Sequence, residues 1–315
     1  MNEVKRLQDF DELEVVAASL PTPDWFQTPG YLRVFARHFC RQKETILLAA
    51  FSGNKVLGYG AFERLADKVI FLGMKPVLGK EEVTDYGDIV GDWQAFLGWF
   101  KQQGVKSLQL DYVREDSATA RLAGVREKQL AAPYLDLPSS WEEYLATLER
   151  KHRKELKRKI ERLEETESFY ECTEETLDTD FQEFVRLHRL SDPDKNKFMS
   201  EAMAKFFYEL KTVRVSDWEA KLCFLKVEGK PAAAVMTLEN ENEVWLYNSG
   251  YDPQFSYLSV GLLLKAYKIK KAIEAGKKRY DFLRGSERYK YELGAQDRQL
   301  YQILVTICER PVNRL

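Results

Sequence analysis

Arg279-Tyr280-Asp281-Phe282-Leu283-Arg284-Gly285-Ser286-Glu287-Arg288-Tyr289-Lys290-Tyr291 is the stretch on which the fold turns. Tyr280 to Leu283 has the length and composition of a short buried strand, and Arg284-Gly285 ends it in a polar loop. Ser286 to Leu293 then reads as a short helix closed by Gly294. Just upstream, Ser259 to Ala275 carries Leu262, Leu263, Ala266, Ile269 and Ile273 at helical spacing and stops at Gly276. A helix opened by Ser259-Val260-Gly261, then a strand and a polar loop, suggests a site for an anionic cofactor. The unpaired N–H groups of a helix start attract phosphate.

Three strands precede that helix. Lys221 to Val227 turns at Glu228-Gly229-Lys230 into Pro231 to Leu238, whose Ala and Val content predicts burial on both faces. Val244 to Ser249 follows a turn at Glu239 to Asn242, and Leu300 to Cys308 reads as a last strand. The N-terminal half repeats the order. Thr45 to Ser52 and Lys55 to Glu63 flank Gly53-Asn54, and Val69 to Met74 is a third strand. A loop with Asp85-Tyr86-Gly87-Asp88 leads to a helix from Asp92 to Gln103, and Ser107 to Tyr112 and Val125 to Ala131 are strands. The interval from hairpin glycine to helix-closing glycine is similar in both halves (Gly53 to Gly104, Gly229 to Gly276), which suggests duplication. Between them, Ser139-Ser140-Trp141-Glu142-Glu143 offers a capping box. The helix it opens has an apolar stripe of Trp141, Leu145, Leu148, His152, Leu156, Ile160 and Leu163. As one helix it would span roughly 40 Å and brace both halves. Further helices are predicted over Leu177 to Leu190 and Ser200 to Val213, on either side of a turn at Asp192-Pro193-Asp194-Lys195-Asn196. The expected division is 1–138, a bridging helix 139–170, and 171–315. The expected class is α/β: two tandem units, each a mixed, mostly antiparallel sheet flanked by helices.

A chain of 315 residues with 44% apolar content is long and apolar enough to fill two such cores. Its net charge of −2 calls for neither nucleic acid nor a membrane surface. Met1 to Glu14 is charged and without an apolar run, unlike a signal peptide, and no apolar stretch reaches membrane-spanning length. Cys40, Cys172, Cys223 and Cys308 are scattered, as are the three histidines, so no metal site is expected and the cysteines are read as reduced core thiols. The expectation is a cytoplasmic protein without a membrane span.

The order of hairpin, third strand, helix, strand, short helix and strand is similar to that of GCN5-related N-acyltransferases (GNAT). Tyr280-Asp281-Phe282-Leu283-Arg284-Gly285 followed by Tyr289-Lys290 resembles the C-terminal signature of the BioF2-like acetyltransferase family. That family is related to the FemAB-type peptidoglycan aminoacyl transferases, which carry two tandem units of this fold. Pro133-Tyr134-Leu135-Asp136-Leu137-Pro138 before Trp141-Glu142-Glu143-Tyr144-Leu145, the basic run after it, Asp85-Tyr86, and Ser249-Gly250-Tyr251-Asp252 resemble further pieces of the family. Three departures stand out. Ser259-Val260-Gly261 replaces Ser-Pro-Gly, Ser286 replaces an acidic residue, and the fuller glycine-rich loop of simple GNAT enzymes is absent. The resemblance implies an acyltransferase. It would move an acyl group from acyl-CoA, acetyl-CoA foremost, to a small-molecule or glycan-precursor amine bound between the two units. The alternatives are a FemAB-like transferase fed by aminoacyl-tRNA, and a degenerate, non-catalytic assembly protein.

The site expected in the second unit comprises Ser259, Val260 and Gly261 for the donor phosphates, with an ordinary N-cap serine as the other reading. Arg284 suits an anion through its planar fork. Lys290 is read either as a phosphate ligand or as part of a solvated helix face. Asp281 could take a proton from the acceptor amine or simply hold the turn after it. Tyr289 could give a proton to the leaving thiolate, as a tyrosine does at this place in many GNAT enzymes, or pack as a boundary residue. Tyr247 and Asn248 end the third strand, where the acyl group and donor would lie. On the acceptor side stand Asp85, Tyr86 and Asp88, whose residue types also favour plain turns. The run Arg150 to Lys159 is read as a solvated helix face with tRNA as the other reading, and His152 as a packed histidine.

Overall fold

The computed structural model describes residues 2–40, 45–91, 93–172, 178–215 and 217–307; Asp92, Leu177 and Cys308, at the edges of predicted elements, lie outside them. The chain packs as two compact units, Met1–Leu130 with Arg298–Leu315, and Ala131–Asp297.

Unit 1 begins with β1 (Asn2–Leu7), α1 (Phe10–Ala17) and α2 (Pro29–Phe39), none of which the sequence pattern announced. The predicted elements follow: β2 (Thr45–Ser52), β3 (Lys55–Leu65), β4 (Lys68–Phe71), α3 (Trp93–Gln102), β5 (Ser107–Arg114) and β6 (Val125–Ala131). Unit 2 holds β7 (Tyr134–Asp136), α4 (Trp141–Thr147), α5 (Arg150–Glu164), β8 (Ser168–Cys172), α6 (Asp178–Ser191), α7 (Pro193–Phe198) and α8 (Glu201–Leu210). It continues through β9 (Arg214–Val215), β10 (Trp218–Val227), β11 (Lys230–Glu239), β12 (Glu243–Tyr251), α9 (Val260–Glu274), β13 (Arg279–Asp281) and α10 (Arg288–Glu292). The last strand, β14 (Gln299–Thr306), returns to unit 1.

Each unit is built on a seven-stranded sheet, β1-β2-β3-β4-β5-β14-β6 in the first and β7-β13-β12-β11-β10-β8 with β9 on β10 in the second. The expected repeat is present. In each sheet one parallel pair, β4–β5 or β12–β13, is joined through a helix, α3 or α9. The turn glycines Gly229 and Gly276 sit at φ 73° and 71°, conformations that a side chain would strain.

Three expectations need correction. The last strand does not complete the second unit: β14 lies antiparallel beside β5, from Leu300↔Arg114 to Thr306↔Ser107, and buries Leu300 and Ile303 in unit 1. The equivalent place beside β13 is filled by β7, with Tyr280 opposite Leu135. Alternation predicts which face of a strand is buried and is silent about its neighbour. Second, the bridging helix is two helices within unit 2. Leu148 breaks it in an extended conformation (φ −66°, ψ 143°) and buries its side chain beside Tyr144 and Leu145. The capping box forms as predicted, Glu143 N–H donating to Ser140 Oγ and Ser139 Oγ to Glu143. Third, Cys223, read as a reduced thiol, is disulfide-bonded, and it faces Cys172 across the β8–β10 ladder.

The core of unit 2 packs α4, α5 and α9 on the sheet, with Ala232, Ala233 and Val235 of β11 wholly buried. Gly250 lets α6 cross β12 in direct backbone contact, since a Cβ there would stand 2.3 Å from His188 N.

Candidate functional site

The site in unit 2 begins with an irregularity in β12. Met236 pairs with Asn248 and the next residue, Thr237, with Leu246, so the register shifts at Tyr247 in a β-bulge. β12 and β13 are paired only from Glu243↔Arg279 to Trp245↔Asp281. Beyond these residues β12 runs on beside β11, while the chain after Asp281 turns into its loop. The two strands part at the C-terminal end of their parallel pairing, where open α/β sheets hold ligands.

One margin of the gap is the loop after β13. Asp281, fully buried, accepts the Leu283 N–H at 2.8 Å and holds Leu283 at φ 58°. Asp281 thus anchors the turn, and a carboxylate with no exposure is not placed to take a proton from an incoming amine. The loop is also held by Phe282 N–H to Pro133 O and Gly285 N–H to Ala131 O, both 3.0 Å. Its carbonyls converge on Lys290. The Nζ of that residue donates to Leu283 O (3.1 Å), Arg284 O (2.8 Å) and Gly285 O (2.9 Å), and lies 3.0 Å from Glu287. Three donors spent on three carbonyls leave none for phosphate, so Lys290, at 1% exposure, staples the loop instead of binding a donor. Arg284 is half-buried on this loop. Tyr289 is half-buried, edge-on to Phe282 at 6.2 Å. Burial, then the Glu287 carboxylate, raise its phenol above the usual range, so it stays protonated at neutral pH.

The other margin is the start of α9. Ser259 makes no side-chain cap; it sits in the left-handed region (φ 59°), and its carbonyl accepts from both Leu262 and Leu263 at 3.0 Å. The N–H groups of Val260 and Gly261 have no acceptor among the described residues, although the Val260 side chain is in the core. Tyr247, on the bulge, stacks on Phe207 at 5.3 Å. The side chain of Asn248 hydrogen-bonds His188, and its Oδ1 accepts the Ser249 N–H.

Three residues that sequence reasoning passed over join this group. Lys265 is 7% exposed, donates to Gly261 O at 3.0 Å and sits 4.7 Å from the centroid of Tyr289. Lys195 donates to Ser249 O at 2.6 Å. His188 is buried beside them with Nδ1 unbonded. Burial and the nearby Lys195 push His188 down to about 4, and burial with Lys195 and Lys290 pushes Lys265 down to about 7. The available signal was a lysine on the apolar face of α9, between Leu264 and Ala266.

A groove of about 540 Å³ lies along α5, lined by Lys151, Lys154, Arg158 and Lys159 and closed by Leu262 of α9 and Arg288 of α10. Arg158 and Lys159 share Glu155, and Arg288 pairs with Glu292. Lys151 and Lys154 have no ion pair among the described residues. The basic run read as a solvated face therefore lines a groove beside the start of α9.

In unit 1 the acceptor-side residues are occupied by the fold. Tyr86 is buried and accepts from Arg298 at 2.7 Å, with the Arg114 and Arg298 guanidiniums each 5.0 Å from its ring centroid. Asp88 caps a 3₁₀ turn, accepting from Thr119 N (3.0 Å) and Oγ1 (2.6 Å) and from Ala118 N (3.2 Å), and burial raises its pKa. Asp85 is half-buried. A cavity of about 700 Å³ in this unit, at Arg6, Arg33 and Arg37, includes none of the three among its lining residues. Among the described residues no group of three His, Cys, Asp or Glu could hold a metal, and no helix is long and apolar enough to cross a membrane.

Residues 150–291 match the family model of an acetyltransferase (GNAT) domain. Several solved structures share the fold over nearly the whole chain. FemX superposes with a TM-score of 0.60 at 11% identity, covering 96% of this chain and 97% of its own. L-PGS from Bacillus licheniformis gives 0.56 at 13%, covering 96% and 93%. A conserved protein of unknown function from Bacteroides thetaiotaomicron VPI-5482 gives 0.56 at 11%, covering 97% and 100%. No curated protein matches the sequence. The GNAT- and FemAB-like resemblance read in the sequence is borne out by the domain match and the shared fold.

Proposed function

With a GNAT acetyltransferase domain across residues 150–291 and the fold of FemX, this chain is, we propose, an acyltransferase that takes an acyl group from acyl-CoA and passes it to an amine. The observation that carries the reading is the parting of β12 and β13 behind the Tyr247 bulge, with the free N–H groups of Val260 and Gly261 at one margin and Tyr289 at the other. In this reading the donor phosphates meet the start of α9, helped by the Arg284 guanidinium, and the thioester lies along Tyr247 and Asn248. The amine nitrogen attacks the thioester carbonyl and loses a proton to solvent, the C–S bond breaks, and Tyr289 gives its phenolic proton to the departing thiolate and is reprotonated from solvent. Acetyl-CoA is the first donor to test, and the acceptor is a small-molecule or glycan-precursor amine.

Thermal unfolding with acetyl-CoA, longer acyl-CoAs and free CoA tests the donor. Ligand at a hundred times its dissociation constant should add about 2.7 kcal/mol, and the shift should disappear in Gly261→Asp, which sets a carboxylate at the helix start. The absence of a shift with any CoA would sink the proposal. A second reading, a donor delivered as aminoacyl-tRNA, is favoured by the basic groove with its unpaired Lys151 and Lys154. It predicts tRNA binding that weakens steeply with salt and is lost in Lys151→Glu/Lys154→Glu.

A further inference from the structure

The cavity of about 700 Å³ in unit 1 lies where β1, α1 and α2 meet the start of β2. Its size is that of a small-molecule pocket. Leu7 of β1, Phe10 of α1, Ala36 of α2 and Leu47 of β2 give it apolar walls, and three arginines line it, Arg6 from β1 and Arg33 and Arg37 from α2. Arg6 is exposed, donates to Thr45 O at 3.3 Å and has no ion pair among the described residues. Arg33 is half-buried; its Nη2 pairs with Asp11 (2.7 Å) and Glu14 (3.1 Å) of α1, while its Nε is buried without a hydrogen-bond partner. Thr45 Oγ1, in the same wall, is buried and unbonded as well. The one carboxylate in the lining, Asp9, is spent on the Asp11 and Glu12 N–H groups at the start of α1.

Guanidinium groups gathered at one cavity repel one another, and an anion placed among them relieves that repulsion. Their planar forks match a carboxylate or a phosphate. Buried polar atoms are nearly always bonded, so Arg33 Nε and Thr45 Oγ1 leave capacity in this wall that the chain itself does not use. We propose that the cavity is a second small-molecule site and that it takes an organic acid with an aliphatic body. The anionic head lies at Arg6, Arg33 and Arg37, and the body lies against Leu7, Phe10, Ala36 and Leu47. A filled cavity also fastens β1, the edge strand of its sheet, to the two helices beside it. The proposal does not rest on the acyl-CoA reading, whose residues all lie in unit 2.

The test is calorimetric titration of the full chain with octanoate at neutral pH, beside octanol, which keeps the chain without the charge, and acetate, which keeps the charge without the chain. Octanoate should bind about tenfold or more tightly than either. Arg6→Gln and Arg37→Gln should each weaken it about tenfold, the loss of one charge-assisted contact, and Ala36→Phe should abolish binding by filling the cavity. Arg121→Gln removes an exposed arginine of unit 1 that is not in the lining, and should change nothing. The place of binding is read at Cys40, a half-buried cysteine of the lining that forms no disulfide and donates to Glu63 at 3.4 Å. Octanoate at about ten times its dissociation constant should slow alkylation of Cys40 by iodoacetamide roughly tenfold, by mass action. No octanoate binding, equal binding of octanol, normal binding in both Arg6→Gln and Arg37→Gln, an equal loss in Arg121→Gln, or an unchanged rate at Cys40 overturns the site. Should Ala36→Phe fail to fold, the two exposed arginines and the Cys40 rate still decide it.

Discussion

Asp281 shows how a residue in a functional motif can have a mechanical role. Its Oδ1 is the partner that lets Leu283 take a left-handed conformation, and an Asn at the position keeps that acceptor while removing the acid. Asp281→Asn should therefore retain turnover and melting temperature, whereas Asp281→Ala should cost about 1–3 kcal/mol by leaving a buried N–H without a partner. A large loss of kcat in the Asn variant would return Asp281 to the chemistry. Tyr289 carries the complementary expectation, because its phenol is protonated at all neutral pH values. Tyr289→Phe should lower kcat while leaving the dissociation constant for CoA unchanged. Motif spacing made both residues legible as important. Their roles were not legible, because a role depends on which hydrogen bonds are already spent.

Among the elements, β11 and α9 are joined by an ion pair that the sequence pattern could not pair. Lys268 Nζ and Glu239 Oε1 are 2.5 Å apart, each side chain is 6% exposed, and Thr237 Oγ1 donates to the same carboxylate. Burial pushes the Glu239 carboxyl up, but the Lys268 ammonium outweighs it and holds the pKa below the usual range. The sign follows directly. A depressed carboxyl contributes stability that is present above its unfolded pKa, about 4.3, and is lost as pH falls through the folded value. Lys268→Met should cost about 3–5 kcal/mol at neutral pH by stranding the carboxylate, and in that variant stability should fall as pH rises. Adding Glu239→Leu should recover most of the loss. Urea unfolding across pH reads all three outcomes, and an unchanged acid limb in Lys268→Met would contradict the pairing. At this scale the helices and strands were largely legible from periodicity, as α9, β11 and the capping box of α4 show. The break at Leu148 was not, since an apolar residue continues a helical stripe equally well whether its backbone is helical or extended.

The chain as a whole is divided by contacts, not by order along the sequence. β14, from the far end, sits between β5 and β6 of unit 1, and β7, from the middle, closes the sheet of unit 2 beside β13. A chain that ends at Asp297 should lose the strand between β5 and β6. Hydrogen exchange should then show unit 1 amides unprotected while β10 to β12 and α9 keep their protection. Unchanged protection in β5 and β6 would contradict this pairing.

The amino-acid sequence by itself determined the local order: the repeated hairpins, the helix-closing glycines, the tandem α/β plan and the signature at Tyr280 to Lys290 that bears the GNAT- and FemAB-like resemblance. These follow from side-chain periodicity and backbone preference, which act over a few residues. Only the tertiary structure decided which strands meet, that Lys290 and Asp281 hold a loop, that Tyr86 and Asp88 are taken up in the packing of unit 1, and that Lys265 lies buried at the start of α9. Those outcomes depend on burial and on competition for hydrogen-bond partners between residues far apart in the chain, and neither can be read from spacing.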